Sequence, residues 1–114
     1  MMKWFWGHYL PSPNDGVHPD ALPFLAKDFS GLPAATIITA EVDPLRREGE
    51  AYAEKLKAAG VAVDYKNVDG VTHEFFGMGA VVDKAKESVA HVGDNLTAHF
   101  AGRSAVREQK SKPR

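Results

Sequence analysis

The chain has 114 residues, 44% of them hydrophobic and 25% charged, with a formal net charge of −1; such values describe one small globular unit, or part of a larger one, rather than a disordered chain. There is no cysteine, which excludes disulfides, thiolate catalysis and cysteine-based zinc sites. The charge is uneven: residues 103–114 carry Arg103, Arg107, Lys110, Lys112 and Arg114 against Glu108 alone, leaving residues 1–102 at −5, and so acidic a body argues against nucleic acid as a partner.

Residues 1–33 form an aromatic and proline-rich lead. Trp4, Phe5, Trp6, Tyr9 and Leu10 crowd one segment, and Pro11, Pro13, Pro19, Pro23 and Pro33 follow. Prolines at that density break regular structure into short helical turns and extended pieces. The aromatics need a large surface to pack against, and little in this chain offers one. The opening MMKWFWGHYLPSP lacks the apolar stretch and cleavage site of a signal peptide. No apolar run approaches the ~20 residues of a membrane span. The expected location is the cytoplasm, unless a targeting signal stands on residues outside this sequence.

From Ala34 the punctuation becomes regular. AATIITA, residues 34–40, is a nearly continuous apolar run with β-branched residues at its centre, as in a strand covered on both faces of a parallel sheet. Pro44 can open a helix. Leu45, Gly49, Tyr52, Ala53, Leu56 and Ala59 then follow along one helical face, and Gly60 closes it. VAVDYKNV, residues 61–68, predicts a second strand. Met78, Val82, Ala85, Val89, Val92, Leu96 and Phe100 step by three or four towards Gly102, as in an amphipathic helix. The tail RSAVREQKSKPR, residues 103–114, reads as a solvated, disordered terminus.

The expected fold is therefore α/β: a right-handed strand–helix–strand crossover with parallel strands over 34–102, ended by a long helix. Ligands sit at the carboxyl ends of such strands. Asp43 falls just past the first strand and His73 in the loop after the second. Each has an ordinary explanation. Asp followed by Pro is a common helix cap, and a histidine can simply be packed. Asp69-Gly70 between two β-prone runs also signals a hairpin, which would leave His73 on a return strand. If the strands are parallel, the two residues can meet at one rim. There the carboxylate would accept a hydrogen bond from Nδ1–H, fix the tautomer, stabilise the imidazolium and leave Nε2 to take a proton. Asp69 is explained by a turn, and Glu74 is expected to point away from its neighbour His73. His8, His18, His91 and His99 offer no metal-binding pair, and no phosphate loop is present, so neither metal nor cofactor is expected.

The run LPAATIITAEVDPLRREGEAYAEKLKAAGVAVDYKNVDGVTHEFFGM resembles the C-terminal catalytic segment of α/β-hydrolase esterases of the hormone-sensitive-lipase-like group. The likeness continues upstream through LPFLAKDFSGLP and WFWGHYL, covering roughly residues 3 to 100. It rests on the D-P-L-R and G-x-x-H-x-F signatures and implies that Asp43 is the triad acid and His73 the general base. It also implies a parallel second strand rather than a hairpin. The group orders its triad Ser…Asp…His, with the serine in a G-x-S-x-G elbow. Ser12, Ser30 and Ser88 lack the glycines that the elbow sets two positions to either side, GRSAV at 102–106 has one, and no HGGG oxyanion loop is present. The resemblance thus implies the C-terminal portion of a serine carboxylesterase acting on a small ester, inactive alone. The alternatives are a non-catalytic module that pairs with a complementary N-terminal half or with itself, and a degraded gene product.

Overall fold

The computed structural model describes residues 2–102; the basic tail expected at 103–114 lies outside them. Helix α1 spans Met2–Tyr9 and is followed by single 3-10 turns at Pro13–Val17 and Pro23–Leu25. Strand β1 is Ala35–Val42, helix α2 Arg46–Ala58, strand β2 Val63–Thr72 and helix α3 Asp83–Phe100, with a 3-10 turn at Phe75–Gly77. The two strands pair in parallel. Among the described residues no helix is long and apolar enough to cross a membrane.

Alternation along the strands sends successive side chains to opposite faces. Ile37 and Val63 join Phe29, Leu56, Val61 and Tyr52 on the α2 side, while Ile38, Ala40 and Val68 join Val71, Phe75 and Ala85 on the α3 side. Both faces of β1 are therefore covered, which is why its sequence reads as an unbroken apolar run. Helix α2 ends in paired bonds from the Gly60 and Val61 amides to the Lys57 and Leu56 carbonyls, and Val61 packs with Leu56 in the same cluster. Gly49 lets α2 approach the sheet closely, since a Cβ there would stand 2.8 Å from Thr39 Cγ2. Thr39 cannot yield easily. Its hydroxyl donates to Asn67 Oδ1 at 3.1 Å, and Tyr65 OH therefore donates to it at 2.9 Å. The proline-rich lead is tied to α2 by Lys55, whose Nζ donates to the Phe24 carbonyl at 2.8 Å and lies 3.8 Å from that ring's centre.

The hairpin alternative at Asp69-Gly70 fails. The strand runs through both residues in one parallel pairing, and the signal is used for a bulge. Ala40 pairs with Val68, but the next pair is Val42 with Thr72, so β2 carries two more residues than β1 over that interval. Gly70 supplies the left-handed backbone, φ 70°, that the bulge needs. Its amide donates to Glu41 Oε2 at 2.6 Å, and Lys84 Nζ donates to the Asp69 carbonyl at 2.6 Å.

Helix α3 also differs from expectation. It starts at Asp83, so Met78 and Val82 precede it. Val89, Leu96 and Phe100 of the expected apolar stripe are exposed, whereas Ala85 and Ser88 are buried. The reason is polar. Thr36 and Asp64, paired across the strands, face this helix, and a half-buried carboxylate requires hydrogen-bond partners. Asn95 Nδ2 donates to Thr36 Oγ1 at 3.0 Å and to Asp64 Oδ2 at 2.5 Å, and His91 Nε2 meets the same oxygen at 2.6 Å. The aromatics of α1 find no such cover: Trp4 is 62% and Tyr9 67% exposed.

Gly70→Val places a β-branched residue at positive φ. It should lower stability by ~2 kcal/mol, read as a lower urea midpoint. Gly93→Ala, on the exposed face of α3 with no atom near its added Cβ, should raise stability by up to ~1 kcal/mol, read as a higher urea midpoint.

Candidate active site

The bulge decides where the two candidate residues end up. Because Val42 pairs with Thr72, Asp43 and His73 are the next residues beyond adjacent parallel strands, at the carboxyl rim. Asp43 Oδ2 lies 2.8 Å from His73 Nδ1. An ionised carboxylate can only accept, so Nδ1 carries a proton, and in the neutral ring Nε2 is left as the acceptor. Asp43 Oδ1 meanwhile accepts the Leu45 amide at 2.8 Å. Asp43 is thus not the cap of α2, whose N-cap is Leu45 with no side-chain bond; one of its oxygens closes the turn that leads into the helix and the other orients the imidazole. Pro44 lies in that turn and the helix itself begins at Arg46.

The Asp43 side chain is 11% exposed and that of His73 56%. The hydrogen bond to His73, then the bond from the Leu45 amide, holds the Asp43 carboxyl below its ordinary 3.8. The hydrogen bond to Asp43, followed by the Asp43 charge, raises His73 above 6.5. Both residues line a pocket of about 550 Å³ with Leu45, Arg46, Tyr52 and Phe76 among its walls. The Arg46 Nε is buried and has no hydrogen-bond partner among the described residues.

Glu74 does not point away as expected. It adopts φ 68°, ψ 0°, and this left-handed turn brings Oε1 to 3.8 Å from His73 Nε2. An extended backbone would have separated the two side chains. Asp69 sits in the bulge, with its Oδ1 accepting from Asn67 Nδ2 at 3.1 Å. A long-range contact of this kind that the sequence did not signal is His91–Asp64, between residues 27 apart that the docking of α3 joins. The lone acid within an apolar strand was its sole trace. Among the described residues, no group of three or more His, Asp or Glu could hold a metal ion.

A family model described as alpha/beta hydrolase fold matches residues 1–77. The chain is 38% identical over 99 residues to an ethyl acetate hydrolase of Pseudomonas putida, covering 87% of this chain and 31% of that protein. It is 46% identical over 78 residues to the carboxylic ester hydrolase LipN of Mycobacterium tuberculosis, covering 68% of this chain and 21% of that one. Among solved structures, a Pyrobaculum calidifontis esterase matches with a TM-score of 0.83 at 38% identity over 87% of this chain and 32% of its own. The chain thus spans about a third or less of the length of these relatives.

The two shifts give a definite pH window. Stability contributed by raising His73 is complete below its unfolded value and disappears as pH rises through the folded one; that from lowering Asp43 is present above 3.8 and disappears as pH falls through its lowered value. The ion pair therefore acts between the two. In Asp43→Asn the His73 imidazole should titrate closer to 6.5, as followed by residue-resolved NMR.

Proposed function

The chain belongs to the α/β-hydrolase fold family, in its hormone-sensitive-lipase-like esterase group, and from that premise we propose that it furnishes the acid and base of serine ester hydrolysis to a nucleophile carried on residues outside this sequence. The observation that carries the reading is the 2.8 Å contact between Asp43 and His73 at the carboxyl rim of adjacent parallel strands. Its relatives are ester hydrolases, and none of the 114 residues forms a G-x-S-x-G elbow.

In this reading Nε2 of His73 takes the proton of the incoming serine hydroxyl as that oxygen attacks the ester carbonyl. Asp43 stabilises the imidazolium so formed and keeps the ring in the productive tautomer. The imidazolium then protonates the leaving alcohol. In the second half-reaction the neutral ring deprotonates a water as its oxygen attacks the acyl carbonyl, then returns that proton to the serine oxygen as the acyl–serine bond breaks, which releases the acyl group as a carboxylic acid. Neither the nucleophile nor an HGGG-type oxyanion loop stands on this chain, so residues 1–114 alone are inactive. The unpartnered Arg46 Nε and the open strand edges favour a complementary chain segment, since an unmade buried hydrogen bond costs ~1–3 kcal/mol.

A second reading is favoured by the exposed Trp4, Phe5 and Tyr9: a non-catalytic unit that pairs with another chain or with itself, covering those rings. Sedimentation at micromolar concentration tests it. Self-association that is lost in Trp4→Ser supports this reading, and a strict monomer with a sharp, reversible melt counts against it.

For the catalytic reading, purified chain should show no turnover of short-chain p-nitrophenyl esters. Mixed with the serine-bearing N-terminal part of a relative it should regain turnover. That activity should fall by up to ~10⁴-fold in Asp43→Asn, as tautomer loss does in other triads. A loss below tenfold would leave Asp43 with its turn-closing role alone.

A further inference from the structure

His73 stands between two carboxylates. Asp43 Oδ2 is 2.8 Å from Nδ1, and Glu74 Oε1 is 3.8 Å from Nε2. The second approach is built into the backbone. Glu74 is the one non-glycine residue at positive φ among the described residues, a conformation that side chains other than glycine disfavour. Consecutive side chains on an extended chain point to opposite sides; the left-handed turn is what folds Glu74 back over the ring.

A neutral imidazole has one N–H. Asp43 takes it, and the lone pair left on Nε2 repels a second carboxylate oxygen. With both nitrogens protonated, each N–H faces an anion. The arrangement therefore favours the imidazolium, the form that cannot accept a proton. From α2 the same pocket is faced by Arg46 and Glu48, one charge of each sign; Phe75 and Phe76 add none. Glu74 thus joins Asp43 as the negative charge contacting the ring. At 3.8 Å the contact is an ion pair rather than a hydrogen bond, and the Glu74 side chain is 80% exposed. Its hold is accordingly weak and reversible.

We propose that Glu74 is a positioning residue that guards Nε2: its carboxylate keeps the vacant imidazole doubly protonated, and a hydroxyl arriving at Nε2 displaces it. The proposal rests on the reading of His73 as a base, and it deepens that reading by naming what occupies the reactive nitrogen before the serine does. The smallest of the influences raising His73 is the Glu74 charge, as expected for a surface carboxylate beside a stronger, shorter partner.

The test is a residue-resolved NMR titration of His73 in the 114-residue chain for wild type, Glu74→Gln and Glu74→Gly, at low salt and at 1 M NaCl. Both substitutions should move the His73 midpoint to lower pH by similar amounts. Salt at 1 M, where the screening length is ~3 Å, should bring wild type close to Glu74→Gln. A Glu74→Gln midpoint at or above the wild-type value overturns the proposal. So does a shift seen in Glu74→Gly alone, which would assign the effect to the backbone. Glycine relieves the positive φ and glutamine preserves the shape, so the pair separates loss of charge from loss of fold, with the amide spectrum as the check. Failure of complementation would count against His73 as base, whereas an unmoved titration counts against Glu74 alone.

Discussion

Two parallel strands of unequal length must finish level for this site to exist. Parallel hydrogen bonding advances both strands together, so residues that are not paired one to one at the end of the sheet diverge by about 3.3 Å for each position of slip. Continued without interruption, the pairing of Ala40 with Val68 would set Val42 beside Gly70 and leave His73 two residues beyond the acid's level. The bulge absorbs the excess. Its anchors come from both sides of the sheet's end, Glu41 from β1 and Lys84 from α3, so the position of the imidazole depends on the docking of the last helix as well as on strand pairing.

The Asp43 carboxylate extends that constraint into α2. With one oxygen on the Leu45 amide and the other on His73, the side chain has little rotational freedom. A turn-closing carboxylate in this setting is also an orienting device, because the backbone amide that it satisfies fixes the direction of the second oxygen. Pro44 assists by contributing no competing N–H. Close approach of α2 at Gly49 and the Thr39–Tyr65–Asn67 hydroxyl and amide contacts keep the strand end and helix start in one rigid corner. Histidine is the more exposed partner, on a loop that turns through Glu74.

The covering of the sheet is uneven in chemistry. The α2 side joins an aliphatic and aromatic cluster to the neutral Thr39–Tyr65–Asn67 contacts; the α3 side joins a small apolar cluster to the Thr36, His91 and Asn95 contacts around the Asp64 carboxylate. Apolar residues left outward on α3, with the exposed aromatics of α1, give this chain more uncovered hydrophobic surface than its small core balances. That is consistent with a unit that spans a third or less of its relatives' length.

Composition, the apolar run at 34–40 and the glycine-closed helix after it were enough to establish a covered strand and a crossover, because burial on both faces and a single helical stripe leave periodic marks on the chain. The types of residue able to do chemistry, Asp43 and His73, were also legible from their place after predicted strands, and their likeness to an esterase segment named their roles. What the chain's order could not contain was register. A D-G pair reads the same whether it reverses the strand or bulges it, and only pairing against β1 selects between them. The same holds for Glu74 and for His91: each depends on a backbone turn or a helix docking angle that long-range contacts determine, and a one-dimensional pattern records neither.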